Sequence, residues 1–483
     1  MPFFSYIMSV LSAIAMVVLV PSACAATGRD PVVQAPAGTV QGVRKDGLHI
    51  FKNIPYALPP VGPARWTVPM PMPAWKGVRK ATDFGPACIQ PKSRAKSIYS
   101  VRYKGMSEDC LSLNIWTPEN AENAPVFVWI YGGSLTTGAN SDPMYDGAKF
   151  AERGIIFVSI NYRLGVLGYM AHPALSKESP DQVSGNYGLL DQIAALKWVK
   201  GNIASFGGNA ENVTIAGESA GALSVMYLMT SPLAHGLFDK AVAQSAYMVT
   251  TPHLKEKRFG MPSAEAAGTW LAEKFGSQDI DELRGMDAVK MAAIAKKEGF
   301  FPFGAIDGHV LPRQLVDVFD RGEQARVPIL AGFNSGEIRS LRFLLPPAPS
   351  NASDYETEIR ARYGELADDF LKHYPTKNIG ESMLATTRDA MYGWTAERLA
   401  AKQSVHDIPA YLYLFDHGYP EAQKYGLHAF HASEIPYVFG TAKRTPKLWP
   451  KIPKHTTDIK LSTAMLEYWT SFARTGRPVA TNQ

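Results

Sequence analysis

The stretch Asn212-Val213-Thr214-Ile215-Ala216-Gly217-Glu218-Ser219-Ala220-Gly221 decides how the chain is read. Its first five residues suit a short apolar strand, and the run from Ala220 to Thr230 suits a helix. Gly-x-Ser-x-Gly between a strand and a helix is the sequence of a nucleophile elbow. The turn is so tight that the serine backbone is strained, and the glycines on either side leave room for the strand and helix that cross there. The hydroxyl is then lifted clear of the sheet, beside a helix N-terminus. Small residues gather in ordinary turns too, so the motif takes its meaning from the rest of the chain.

Outward from this point the pattern is strand, helix, strand. Pro125 to Ile130 and Ile155 to Ile160 are nearly all apolar, as in central strands covered on both faces. Leu111 to Trp116 alternates apolar and polar, which predicts a half-buried strand. Leu189, Ile193, Leu196, Val199 and Ile203 have helical spacing, predicting a helix from about Tyr187 to Ser205. Further strands are expected at Val40–Val43, Ile50–Phe51, Lys240–Gln244, Val327–Phe333 and Ala410–Phe415, and a terminal helix at Asp458–Ala473. Alternating strands and helices give an α/β fold, a mainly parallel sheet with helices on both faces. The regions of about 253–301 and 351–401 read as helices without strands and are expected outside the sheet as caps over one edge. The proline-rich stretch from Pro55 to Pro73 forbids helix and central strand, and its large apolar residues predict an ordered loop.

The 483 residues are 46% hydrophobic and 19% charged, with a formal net charge of +5. This is the composition of a large globular protein, without the concentrated basic surface of nucleic-acid binding. Met1 to Gly28 carries no charged side chain, and an apolar run from Ile7 to Val20 precedes Pro21-Ser22-Ala23-Cys24-Ala25-Ala26. Residues 1–26 therefore read as a secretory signal cut near Ala25 or Ala26, although no basic residue precedes the apolar run. A membrane anchor and a lipid-modified Cys24 are the alternatives; the run is short for a full span. The mature part, residues 27–483, is expected to be one catalytic domain, secreted or periplasmic, with no stable membrane insertion. Of three cysteines, Cys88 and Cys110 remain after cleavage. In an exported chain this pair suggests a disulfide, stabilising by about 3 kcal/mol, and otherwise two buried thiols.

A serine hydroxyl needs a base and an acid to orient that base. On sheets of this kind the order along the chain is Ser, then Asp or Glu, then His. Here the chain resembles the type-B carboxylesterase/cholinesterase family of α/β-hydrolases. The resemblance is carried by Asn53-Ile54-Pro55-Tyr56-Ala57 with Pro59-Pro60-Val61-Gly62, by Ser107-Glu108-Asp109-Cys110-Leu111-Ser112-Leu113-Asn114 and by Trp129-Ile130-Tyr131-Gly132-Gly133. It continues through Asn161-Tyr162-Arg163-Leu164-Gly165, Gly185-Asn186-Tyr187-Gly188-Leu189-Leu190-Asp191-Gln192 and the elbow with its Glu218.

The resemblance implies that the acid is Glu337, in Gly332-Phe333-Asn334-Ser335-Gly336-Glu337, and the base His431, ahead of Glu434-Ile435-Pro436-Tyr437-Val438-Phe439-Gly440. His428 is the rival base. The family usually has glycine after each of these residues, where this chain has Ile338 and Ala432. The oxyanion hole is implied at the backbone N–H groups of Gly133, Ser134 and Ala220, with Ser134 in place of a third glycine. Glu218 and Ser245 are implied as supporting residues, Ser245 through a hydrogen bond near the acid–base pair. The family also pairs cysteines placed like Cys88 and Cys110.

The resulting expectation is a secreted serine carboxylester hydrolase acting on small esters through an acyl-enzyme, needing neither metal nor cofactor. A lipase working at lipid interfaces is the alternative, and a non-catalytic adhesion or scaffold member is a further one. Arg339 and Arg342 are either solvated surface residues or groups favouring esters that bear carboxylates. Asn212 and Asn351 have N-glycosylation spacing, the first expected to be buried.

Overall fold

The computed structural model describes residues 29–92 and 97–480. Within these, nine strands form the central sheet: β1 (Val43–Lys45), β2 (Leu48–Pro55), β3 (Ser112–Pro118), β4 (Ala124–Ile130), β5 (Ile156–Ile160), β6 (Gly208–Glu218), β7 (Lys240–Gln244), β8 (Ile329–Asn334) and β9 (Ala410–Phe415). The expected strand Val40–Val43 is divided, since Val40 lies in Gly38–Gln41, a strand of a separate three-stranded sheet, and only Val43 reaches the central one. The order across it is β9-β8-β7-β6-β4-β5-β3-β2-β1. The six strands from β9 to β5 run parallel, and β3, β2 and β1 continue the sheet in antiparallel pairings.

The elbow strand β6 sits at the centre. Every residue from Val213 to Glu218 is buried. Successive side chains of a strand point to opposite faces, so both faces are covered there. α1 (Tyr187–Asn202) and α2 (Ala220–Thr230) pack on β6 and on each other, while the terminal α4 (Thr456–Thr475) packs on β4 and β6. All eleven residues of α2 are buried, as expected of a helix that is apolar all round. The same aliphatic and aromatic runs supply the main core, including Phe127, Trp129, Ile215, Leu223 and Val242.

One expectation fails here. The alternation of Leu111–Trp116 predicts a half-buried strand, yet Ser112 to Thr117 of β3 are buried without exception. β3 lies between β5 and β2, and its Asn114 and Thr117 side chains are satisfied inside, Thr117 Oγ1 donating to the Phe206 carbonyl at 3.0 Å, while the Ser112 hydroxyl has no partner among the described residues. Asn114 accepts from the Asn53 amide at 3.0 Å and donates to Ser159 Oγ at 3.1 Å and the Asn140 carbonyl at 3.2 Å.

The helices of the first predicted insertion, Ala264–Phe275, Ile280–Gly285 and Ala288–Lys297, gather a second apolar cluster with Val166, Leu167 and Met170. The second insertion divides. Ala352–Tyr363 and Ala367–His373 form a small cluster of their own, whereas α3 (Trp394–Ser404) packs directly on β8 and β9. Cys88 and Cys110 form a disulfide. Asn212 is half-buried and donates to the Arg474 carbonyl at 3.3 Å, while Asn351 is exposed and caps the helix that follows it. The expected signal, with Cys24, lies outside the described residues. Among the described residues, no helix is long and apolar enough to cross a membrane.

Candidate active site

β6 ends at Glu218 and α2 begins at Ala220, so Ser219 alone makes the turn between them, with φ 57° and ψ −123°. Backbone of this kind costs an ordinary residue on the order of 1–3 kcal/mol and persists only where the surroundings impose it. The surroundings are explicit. A Cβ on Gly221 would lie 2.1 Å from the Ile130 carbonyl oxygen, and one on Gly217 would lie 2.4 Å from the Gly221 backbone. The two glycines let β6, α2 and the end of β4 meet at one point. The Ser219 amide is fixed by the Gln244 carbonyl at 2.9 Å.

Glu337 opens a short 3-10 turn, Glu337–Ser340, just past the end of β8. Its carboxylate is fully buried; Oε1 accepts from the Asn334 amide at 2.8 Å, and Oε2 bonds Nδ1 of His431. The strand end and the histidine loop are joined by a bridge between Gly336 and Phe430, and Asn334 Nδ2 donates to the Phe430 carbonyl at 2.9 Å. Ala432, where the resembling family has glycine, holds φ 65°. One face of the imidazole is covered by the Tyr392 ring, 5.4 Å away between centroids, carried on a π-helical turn, Asp389–Gly393. Such turns recur at functional sites. His428, the rival base, is exposed and outside this cluster.

Two further carboxylates crowd the pair. Glu218 Oε1 lies 3.1 Å from His431 Nε2, off the direction of a hydrogen bond. Glu434, fully buried, accepts from Gln244 Nε2 at 3.0 Å and Asn334 Nδ2 at 2.6 Å. Burial raises Glu218 to about 8 against the pull of His431, with Glu434 and Glu337 adding to the rise. Burial and the charge of Glu337 raise Glu434 as well. Burial lowers His431, but the charges of Glu218 and then Glu337 outweigh it and lift the imidazole to about 9. Three buried glutamates around one ring therefore favour its protonated form.

The structure thus brings together Glu218, Ser219, Glu337 and His431. It does not join all of them: the Ser219 hydroxyl makes no hydrogen bond to the imidazole, whose Nε2 faces Glu218 instead. Next to Ser219, the turn after β4 runs through Gly133 (φ 103°), Ser134 (φ 56°) and Leu135 (φ 53°). A Cβ on Gly132 would lie 3.1 Å from the Ser219 Cβ, which shows how close this turn comes. The amides of Gly133 and Ser134 donate to no backbone carbonyl among the described residues. The Ala220 amide, first in α2, has no intrahelical acceptor.

Ser245 departs from expectation. It is fully buried next to β7 with φ 50°, but its hydroxyl has no hydrogen-bond partner among the described residues. Arg339 lies on the turn that carries Glu337, and its charge is matched by Glu381, with Nη1 at 3.2 Å from Oε1. Arg342 is exposed on the next turn. Sequence reasoning assigned no role to Glu434, although its place three residues after His431 was the available signal. It also passed over Tyr392, for which the sequence offers no signal.

The model of the Carboxylesterase family matches residues 29–483. The chain is 38% identical over 473 residues to the fumonisin B1 esterase of Sphingopyxis macrogoltabida, covering 94% of this chain and 84% of that protein. It is 35% identical over 465 residues to the para-nitrobenzyl esterase of Bacillus subtilis, covering 92% and 90%. Among solved structures, a PNB esterase superposes with a TM-score of 0.81 at 34% identity, covering 94% of this chain and 92% of the other. A carboxylesterase of Geobacillus stearothermophilus gives 0.80 at 33% identity, with coverage of 94% and 92%. The likeness to these structures identifies the fold as that of the α/β-hydrolases.

Proposed function

Because the chain belongs to the carboxylesterase family and is a carboxylic ester hydrolase, we propose that it works through an acyl-enzyme on Ser219, with His431 as base and Glu337 as its acid partner. The observation that carries this reading is the buried Glu337–His431 bond beside the elbow residue. In the first step His431 Nε2, turned from Glu218 toward Ser219, takes the hydroxyl proton as Oγ attacks the ester carbonyl carbon. Apo sites commonly hold such contacts loosely and tighten them on binding substrate. The negative charge that develops on the carbonyl oxygen is met by the N–H groups of Gly133, Ser134 and Ala220, which are fixed before substrate arrives.

Glu337 stabilises the imidazolium and keeps Nδ1 protonated, leaving Nε2 to exchange the proton. The tetrahedral intermediate expels the alcohol, which takes its proton from His431. In the second half a water gives its proton to His431 and attacks the acyl carbonyl; the acid leaves and Ser219 Oγ recovers the proton. Glu218 gives up its proton only near 8 and, once ionised, favours the protonated ring beside it. We place the enzyme outside the cytoplasm, on the strength of the uncharged, apolar first 28 residues. N-terminal sequencing of the mature protein then begins near Ala26 or Thr27.

The catalytic reading is tested with Ser219→Ala, His431→Ala and Glu337→Gln on a small neutral ester. The first two lower kcat by at least about a thousandfold, and the third by about a hundredfold or more. Activity within about tenfold of the parent in folded Ser219→Ala or His431→Ala rejects it.

A further inference from the structure

The loop closed by Cys88 and Cys110 reaches the acid–base pair through one side chain. Tyr99 Oη donates to the main-chain carbonyl of His431 at 2.9 Å and shares a hydrogen bond of 2.7 Å with Ser340 Oγ. Ser340 is the last residue of the turn that Glu337 opens. A single hydroxyl therefore bridges the segment carrying the acid and the segment carrying the base, which are 94 residues apart in sequence. The Tyr99 ring is held edge-on by Trp449 at 5.8 Å, and Trp449 packs on Phe430, the neighbour of His431, at 4.9 Å.

The bridge is not redundant with the backbone links between the two segments. Those links engage Ala429 and Phe430, on the N-terminal side of the histidine. Beyond it, Ala432 turns into the left-handed region, and no backbone amide among the described residues donates to the His431 carbonyl. Tyr99 Oη is the donor that satisfies it. An inward carbonyl left without a donor is costly, and its peptide rotates to find one. The Cα of His431 belongs to that peptide, so rotation moves the imidazole relative to Glu337.

We propose that Tyr99 is a positioning residue: delivered by the disulfide-closed loop, it fixes the His431 carbonyl and the Glu337 turn against each other and so keeps imidazole and carboxylate in register. This rests on the assignment of Ser219, His431 and Glu337 as a triad. A neutral positioning bond of this kind is worth roughly tenfold in rate.

The test compares Tyr99→Phe, Ser340→Ala, the double variant and His431→Ala in the full-length enzyme, reading kcat, KM, the pH profile of kcat/KM and thermal unfolding. Tyr99→Phe is expected to lower kcat about tenfold with KM within about twofold. The acidic limb of kcat/KM is expected to move to lower pH, because a loosened Glu337 stabilises the imidazolium less. Ser340→Ala gives a smaller loss alone and none in the Tyr99→Phe background, since its bond acts through the tyrosine. Should Tyr99→Phe be too unstable to assay, Ser340→Ala carries the same kcat and pH readouts. Parent-like kcat and pH limb in Tyr99→Phe, with His431→Ala inactive, overturn the inference and leave the triad standing. A lower unfolding temperature without a moved pH limb overturns it equally, since it marks a structural role only. Full activity in His431→Ala removes the triad and this inference with it.

Discussion

Glu218→Gln removes one charge from beside the imidazole while keeping the shape of the side chain. The 3.1 Å contact between Glu218 Oε1 and His431 Nε2 is the leading influence that raises His431, to about 9, against its burial. Two unit charges at that distance interact by about 5 kcal/mol at an effective dielectric of about 20, equivalent to about four pK units. That is a ceiling, because opposite charges in contact shift a partner by about 1–3 units. Glu218, which keeps its proton up to about 8, is largely ionised where the ring titrates at about 9 but not below, so the expected shift is about 1–2 units.

The sign follows directly. The carboxylate favours the imidazolium; without it the ring gives up its proton at lower pH, and the neutral ring is the base. The acidic limb of kcat/KM therefore moves down by about 1–2 pH units, and activity near neutrality rises relative to the alkaline plateau. The assay is kcat/KM for a neutral ester across the pH range at constant ionic strength, parent against variant. A limb that stays in place, or moves upward, refutes the claim that Glu218 sets the protonation of the base.

Gly221→Ala places a Cβ 2.1 Å from the Ile130 carbonyl oxygen; the variant is expected to lose on the order of 1–3 kcal/mol by denaturant unfolding, or not to fold. Ser134→Gly relieves a left-handed serine and is expected to gain up to about 1 kcal/mol in unfolding free energy, with unchanged burst stoichiometry. Replacing Cys88 and Cys110 by serine opens a loop spanning 22 residues and costs about 3 kcal/mol by denaturant titration. Because that loop carries Tyr99, kcat in the folded protein falls as in Tyr99→Phe, and adding Tyr99→Phe to it costs little more.

The centre of the sheet was legible because strands covered on both faces must be apolar along their length, as in β4, β5 and β6. The elbow was legible because only glycine fits where β4, β6 and α2 meet. β3 misled for a specific reason: Asn114 and Ser112 mimic a wet face, yet the Asn114 side chain is satisfied by partners on three other segments. The proposed acid and base, Glu337 and His431, were singled out through local motifs, and the structure bonds them to each other. What the sequence could not convey is how side chains converge from far apart. The Tyr99 contact to His431 spans 332 positions and the Gln244 contact to Glu434 spans 190. Arg339, read as a solvated surface residue or a group favouring carboxylate-bearing esters, is paired with Glu381 on a separate helix. No local pattern announces such pairs, because each depends on how distant elements pack.

The central claim is that an acyl group rests on Ser219 during turnover, and rapid acid quench followed by peptide mass spectrometry tests it most directly. With a slowly deacylating ester, the account predicts one acyl adduct per active site on the peptide containing Ser219, formed in a burst and absent from Ser219→Ala. Turnover with no adduct at that serine, or a kinetically competent adduct on another residue, contradicts it.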